Sequence, residues 1–239
     1  IQESDDIIFA YTGFTGGTPE PVFPLINANN SGYITGLQIQ NAGDQATEVT
    51  VSYTPSTAGT PCTETQTIAA GASNTFALAA FANGANSNCA AGATFIGSAA
   101  VTANSTNQPL VGIGNQLLPG VNGEAYVSFD ADSATNTVVM PLIMDRNSGY
   151  FTGFNVQNVG DSATQVNCTF TGTDYTVSDN IAPGEALNDI QNNKIADGYV
   201  GSGRCTASDA NAKLVAVVNE LNQTAGGDQF LVYEGVNVQ

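Results

Sequence analysis

The chain has 239 residues, and its 21 acidic side chains against 4 basic ones give a net charge of −17. Such a charge repels nucleic acid, so DNA and RNA are excluded as partners. Only 10% of the residues are charged, and no apolar stretch reaches the roughly 18–20 residues of a membrane span. We therefore expect a globular protein without a membrane span, located outside the cell or on its surface.

An N-terminal extension, residues 1–19, comes first along the chain. Its acidic start, IQESDD, precedes a β-prone run with Ile7, Ile8, Phe9 and Tyr11, and glycines and prolines follow in TGFTGGTPEP. An apolar strand beside a glycine-rich hinge can leave its own domain and complete a sheet of a neighbouring copy. It can equally be an edge strand of its own first domain, and the sequence leaves both interpretations open.

The rest of the chain contains an internal repeat. Residues 22–52 match residues 139–169 at 17 of 31 aligned positions, and residues 95–117 align with residues 199–221. Repetition over this length is typical of duplicated domains rather than of a short structural repeat.

The alignment continues from these blocks to Gly123, which we place opposite Gly227. Since residues 1–19 have no counterpart in the second copy, the repeat predicts two homologous domains, at 20–132 and 133–239.

Alternating apolar and polar residues predict strands in both copies. After the shared NSG turn, Thr35, Leu37 and Ile39 alternate with small or polar residues, and NAGD and NVGD follow as turns. No window contains a capped amphipathic helix. The chain is therefore predicted to be all-β, with two tandem immunoglobulin-like antiparallel β-sandwiches of about seven strands each. Ile34 and Phe151 are apolar on the outward side of the repeated strand, which predicts a lateral contact.

Four cysteines permit three pairings. Cys62 and Cys89 lie in two loops that are longer in the first copy, whereas Cys168 and Cys205 replace an inward valine pair of the first copy. This asymmetry favours Cys62–Cys89 and Cys168–Cys205 over four free thiols. Disulfides would indicate an oxidising compartment.

The linker between the copies carries a weak calcium-loop pattern. Asp130 and Asp132 alternate as at the start of such a loop, with Ser133 and Asn136 as further oxygen ligands. The glycine and the distal glutamate of a calcium loop are missing, so a solvated acidic linker is the favoured interpretation. Calcium is the one cofactor that the sequence suggests.

Catalytic chemistry finds little support in the composition. The chain has no histidine and no tryptophan, which removes the Ser-His-Asp and Cys-His nucleophile systems and the usual sugar-stacking aromatic platform. We therefore expect no enzymatic activity and name no catalytic residue.

Both copies contain the string PLIxxxNSGYxTGxxxQNxG, followed by an IxxG turn and a GSxxxTA strand. This pattern resembles a repeat of secreted and cell-surface β-sandwich proteins of bacteria, and the resemblance implies a fold and a location rather than an activity. In its organisation, the unmatched N-terminal strand is similar to the donor strand of pilus-like filament subunits.

These features predict a structural subunit of an extracellular filament or surface layer. It would polymerise head to tail with copies of itself by N-terminal strand exchange, and disulfides would stabilise it. The alternative is an adhesin or cell-wall binding module that recognises a cell-surface glycan or another surface protein.

Overall fold

The computed structural model describes residues 2–4, 7–78, 87–105, 107–222, 224 and 226–238. These residues form antiparallel strands and a single short 3₁₀ turn, with no α-helix among them. The chain divides into two compact units, Ile1–Ala131 and Asp132–Gln239. The predicted all-β fold is confirmed.

The first unit contains an N-terminal hairpin and a nine-stranded sandwich. Its strands are β1 (Gln2–Ser4), β2 (Ile7–Ile8), β3 (Pro21–Ala28), β4 (Ile34–Asn41), β5 (Thr47–Ala58), β6 (Cys62–Ile68), β7 (Ser73–Phe76), β8 (Phe95–Ala103), β9 (Leu110–Leu118), β10 (Asn122–Val127) and β11 (Phe129–Asp130). One sheet has the order β11-β3-β8-β5-β6, and the other has the order β10-β9-β4-β7. The strands β1 and β2 pair with each other.

The second unit repeats this sandwich strand for strand. After the 3₁₀ turn (Ala131–Ser133), its strands are β12 (Thr137–Asp145), β13 (Tyr150–Asn158), β14 (Thr164–Phe170), β15 (Thr176–Ile181), β16 (Ala186–Gln191), β17 (Tyr199–Ala207), β18 (Leu214–Asn222), β19 (Phe230–Glu234) and β20 (Val236–Asn237). Their orders, β15-β14-β17-β12-β20 and β16-β13-β18-β19, match those of the first unit position by position.

The central strands follow the immunoglobulin pattern. The orders β3-β8-β5 and β10-β9-β4 correspond to strands B-E-D and G-F-C of that sandwich. Each sandwich has nine strands rather than the predicted seven or so. In the first unit, β6 and the two-residue β11 were not predicted, because their sequences show no clear alternation of apolar and polar residues. In β6, the sequence CTETQTI is polar except at its ends, as suits an edge strand.

The shared Pro-Leu pair produces a bulge in both units. Pro24 has no N–H to donate, and the register of β3 against β8 shifts there. The Leu25 carbonyl accepts a hydrogen bond from the Tyr126 hydroxyl at 2.6 Å. In the second unit, the Leu142 carbonyl accepts one from Tyr233. Tyr126 and Tyr233 are therefore equivalent residues.

The shared asparagine of the QNxG string organises a turn. The Asn41 side chain donates to the carbonyls of Gln45 (2.7 Å) and Ile68 (3.1 Å) and accepts from the Gly43 amide (3.0 Å). Asn158 makes the same three contacts in the second unit. This part of the repeated motif is thus structural, since its polar atoms bind the backbone of their own unit.

The register corrects one part of the sequence alignment. Gly123 pairs with Leu117 in the first unit, and the residue that pairs with Leu221 in the second is Phe230. Phe230 therefore occupies the place of Gly123, and our alignment of Gly123 with Gly227 is wrong. The connection from β18 to β19 is longer than the one from β9 to β10, so a gapless alignment slips by three residues.

Candidate functional site

The N-terminal extension attaches to the outer surface of the first sandwich. Ile7 and Phe9 are buried in a small cluster with Ala125 of β10 and the half-buried Leu117 of β9. Tyr126, the neighbour of Ala125, points into the sandwich core, so Ala125 points away from the core. The extension thus packs on a sheet face that would otherwise be exposed.

A glycine makes room for the aromatic ring. An added Cβ at Gly123 would lie 2.7 Å from Cζ of Phe9 and 3.1 Å from Cδ1 of Leu117. We call Gly123, Ala125 and Leu117 the Phe9 seat. Full burial of a side chain such as Ile7 or Phe9 stabilises by about 1.5–3 kcal/mol, so the two together contribute roughly 3–6 kcal/mol.

The first strands of the extension pair with each other. Among the described residues, β2 pairs with β1 and with no sandwich strand. The Ala10 amide donates to Oε1 of Glu124 at 3.0 Å. Within the described part of the chain, β2 is therefore no edge strand of either sandwich sheet, and the buried side chains of Ile7 and Phe9, together with the bond from Ala10, help to attach residues 7–10.

The next residues expose large apolar side chains. Ile8 is 62% exposed, Tyr11 49% and Phe14 39%. Regular structure is absent from residue 9 to residue 17, and the chain rejoins the sandwich where Thr18 and Leu110 exchange two backbone hydrogen bonds. The extension therefore combines a pair of buried anchors with an apolar surface that its own unit leaves uncovered.

Both predicted disulfides are confirmed. Cys62 and Cys89 are bonded with their Cα atoms 5.0 Å apart, and Cys168 and Cys205 are bonded with theirs 4.0 Å apart. Cys168 and Cys205 lie directly opposite each other on β14 and β17, as a valine pair does on β5 and β8 of the first unit. Each bond stays within one unit, and neither involves the extension.

Three buried carboxyl groups were missed by the sequence analysis. Glu64 on β6 is the first: its Oε2 accepts from the Tyr53 hydroxyl at 2.6 Å and from the Leu78 amide at 2.8 Å. Burial, followed by the nearby Glu64 charge, holds the pKa of Tyr53 well above its usual value. Glu64 therefore links β5 to the segment after β7.

Glu220 is the second buried carboxyl group, and its charge is unfavourable. The Thr152 hydroxyl lies 2.8 Å from both carboxyl oxygens. Burial raises the pKa of Glu220 to about 8, although the hydrogen bond from Thr152 opposes the shift. In the first unit, Gln116 faces Thr35 at the equivalent place. The alignment of NQL with NEL contained this signal.

Asp145 is the third buried carboxyl group, and it is well satisfied. Burial alone would raise its pKa, but donors from Arg146 Nε and from the amides of Asn193, Lys194 and Ile195 lower it below its usual value. The hydrogen bonds described for each of the three acids stay within its own unit, so each carboxyl group links neighbouring segments of one sandwich.

The remaining predicted residues are placed as follows. Asp130 pairs with Pro21 in the sheet, and Asp132 binds Lys213 at 2.9 Å. Across the described residues, no group of three or more His, Cys, Asp or Glu side chains is arranged to hold a metal ion.

Ile34 is half-buried, and Phe151 is buried, so Phe151 offers no free apolar surface for a lateral contact.

The described residues also contain no helix with the length and apolarity needed to cross a membrane. The extension is the described feature that lies outside both sandwiches and joins buried anchors to exposed apolar side chains. No protein-family model matches the chain, and neither does any curated protein sequence.

Proposed function

We propose that the protein is a structural subunit of an extracellular filament or surface layer, assembled head to tail by exchange of its N-terminal extension. One observation carries the proposal: residues 7–14 lie outside the sandwich, are held by Ile7 and Phe9, and expose Ile8, Tyr11 and Phe14. An attachment of roughly 3–6 kcal/mol is weak enough for the extension to detach from its own sandwich, and strong enough to stabilise its binding to the sandwich of another copy.

Exchange would preserve the contacts that the extension makes within its own chain. The balance between the closed monomer and the exchanged assembly then depends on concentration and on strain in the connecting segment. A contact of this kind joins two different surfaces, so it propagates as an open fibre unless its rotation closes a ring. A head-to-tail interface of this kind is therefore expected to produce a filament or a layer.

The disulfides support the same proposal. Cys62–Cys89 and Cys168–Cys205 each lie within one sandwich, so the extension can detach while both units stay cross-linked. Disulfides persist in oxidising compartments, which fits a location outside the cell.

Deletion of residues 1–12 tests the proposal directly. Assembly is measured by negative-stain electron microscopy and light scattering at high salt, because the net charge of −17 opposes association. We expect fibres of uniform width from the full chain and monomers from the deletion variant. The matched control is Leu231→Ser, which removes an exposed apolar side chain of the second unit and should assemble normally.

Two outcomes contradict the proposal. Assembly of the deletion variant to the same extent as the full chain would show that the extension is dispensable. A full chain that stays monomeric at high concentration would instead favour the alternative, a binding module for a glycan or surface protein.

A further inference from the structure

We infer that the acceptor for the exchanged extension is the Phe9 seat on the first unit of a second copy, and that the second unit cannot serve as acceptor. The inference rests on the proposed strand exchange and names its partner surface. Its occupant is residues 7–10 of the neighbouring chain, the segment that occupies the seat within one chain.

The seat matches the spacing of the anchors. Ile7 and Phe9 are two residues apart, so both point to the same side of an extended chain. Gly123 leaves space for the Phe9 ring, and Ala125 is small enough to let Ile7 approach the sheet. The seat is therefore shaped for a large side chain at every second residue of a strand.

A polar anchor sets the position of the segment along the sheet. Oε1 of Glu124 accepts from the amide of Ala125 at 2.9 Å, a bond within its own strand, and from the Ala10 amide at 3.0 Å. Because the first bond holds the carboxylate in place, the acceptor for Ala10 is oriented before the extension arrives. A shift of the segment by one residue would lose this bond and turn Phe9 outward.

The second unit lacks the glycine of the seat and the carboxylate that accepts the Ala10 amide. Phe230 occupies the place of Gly123 and is 3% exposed, so a large buried side chain stands where the first unit has a glycine that leaves room for Phe9. At the place of Glu124 stands Leu231, which has no carboxylate to accept the Ala10 amide. The two copies of the repeat have thus diverged into one sandwich that receives a segment and one that fills the same place by itself.

The connecting segment limits where the neighbour can lie. Seven residues, or eight Cα–Cα steps, connect Ala10, whose amide is bound to Glu124, with Thr18, which is bound to Leu110. Such a segment reaches at most roughly 28 Å when fully extended. Gly13 and Gly16 lie in this segment, and glycine adopts backbone angles that other residues rarely reach, which helps a segment to change direction.

A pair of complementary variants tests the acceptor. Phe9→Ala removes the anchor and leaves the seat open, whereas Gly123→Phe keeps the anchor and fills the seat as Phe230 does in the second unit. Each variant alone should remain monomeric. An equimolar mixture should form a 1:1 heterodimer and stop there, because one variant only donates and the other only accepts. Light scattering coupled to size-exclusion chromatography measures both results.

A matched control distinguishes the effect of filling the seat from the effect of adding a phenylalanine ring anywhere in the protein. Gly226→Phe places the same ring on a loop of the second unit where an added Cβ meets nothing within 4 Å, and it should assemble like the unmodified chain. Circular dichroism and thermal unfolding establish that Gly123→Phe is folded before its assembly is compared.

Each result bears on a different claim. If Gly123→Phe assembles as well as the unmodified chain, the acceptor lies elsewhere and the inference fails, while the proposed filament function stands. If the unmodified chain never assembles, the filament function fails, and a synthetic peptide of residues 1–12 then tests the seat. Binding of this peptide to Phe9→Ala, at least about tenfold tighter than to Gly123→Phe, supports the inference, and equal binding to both overturns it.

Discussion

Replacement of Glu220 by glutamine should remove a pH dependence from the stability of the second unit. Glu220 is buried against Thr152 in the sandwich, and its pKa is raised from 4.5 to about 8. The folded state therefore keeps a proton that the unfolded state releases over this pH range. Stability is then lost as the pH rises from about 4.5 to about 8 and is constant above it.

The magnitude follows from the two pKa values. Each tenfold change in proton activity between them is worth about 1.4 kcal/mol, so the free energy of unfolding falls by about 3 kcal/mol by pH 7 and by up to about 5 kcal/mol above pH 8. Glu220→Gln places a neutral group of the same shape at this site, as Gln116 does in the first unit. It should match the unmodified chain near pH 4.5 and exceed its stability at pH 8.

Urea unfolding followed by circular dichroism from pH 4.5 to 8.5 measures both proteins with their disulfides intact. The reciprocal variant, Gln116→Glu, is the matched control and should introduce a similar loss of stability into the first unit. Parallel pH profiles for the unmodified chain and Glu220→Gln would refute the reasoning, because they would show that Glu220 does not change its protonation on unfolding.

Three further predictions concern stability. Tyr53→Phe removes the hydroxyl that donates to buried Glu64, and it should destabilise the first unit by about 1–3 kcal/mol; an unchanged urea midpoint would contradict this role. Joint replacement of Cys168 and Cys205 by valine restores the apolar pair of the first unit but should cost about 3 kcal/mol relative to the oxidised parent protein through the lost cross-link; the reduced parent, which also lacks the cross-link, is the control. Asp145→Asn should destabilise at neutral pH and lose its effect in acid, since the folded pKa of Asp145 lies below 3.8 and its contribution disappears as the pH falls through that value; equal destabilisation at pH 2 and pH 7 would rule this out.

The repeat made much of the fold predictable. Aligned copies report on paired positions, so the replacement of a valine pair by Cys168 and Cys205 was enough to indicate a cross-link between two neighbouring strands. Strands with alternating apolar residues were predicted for the same reason. The polar edge strand β6 was missed because an edge strand buries few side chains and leaves little periodicity in the sequence.

The candidate site was predicted in part. The extension and its anchors Ile7 and Phe9 were identifiable, because an apolar run without a counterpart stands out in a duplicated chain. Their seat was not, since Gly123 is more than 100 residues away and is one of 26 glycines. A glycine required for close approach of a ring is indistinguishable in sequence from a glycine required by a turn.

The amino-acid sequence by itself determined the all-β class, the duplication and the pairing of the cysteines, because alternation and aligned substitutions are visible along a chain. Tertiary structure decided which copy leaves room for the Phe9 ring and which carboxyl groups are buried. Both depend on strand register: a longer connection before β19 brings Phe230, rather than Gly227, to the place of Gly123. Register is set by packing between distant residues. The first sandwich therefore holds the extension at Gly123, whereas the second sandwich has its own Phe230 at the equivalent place.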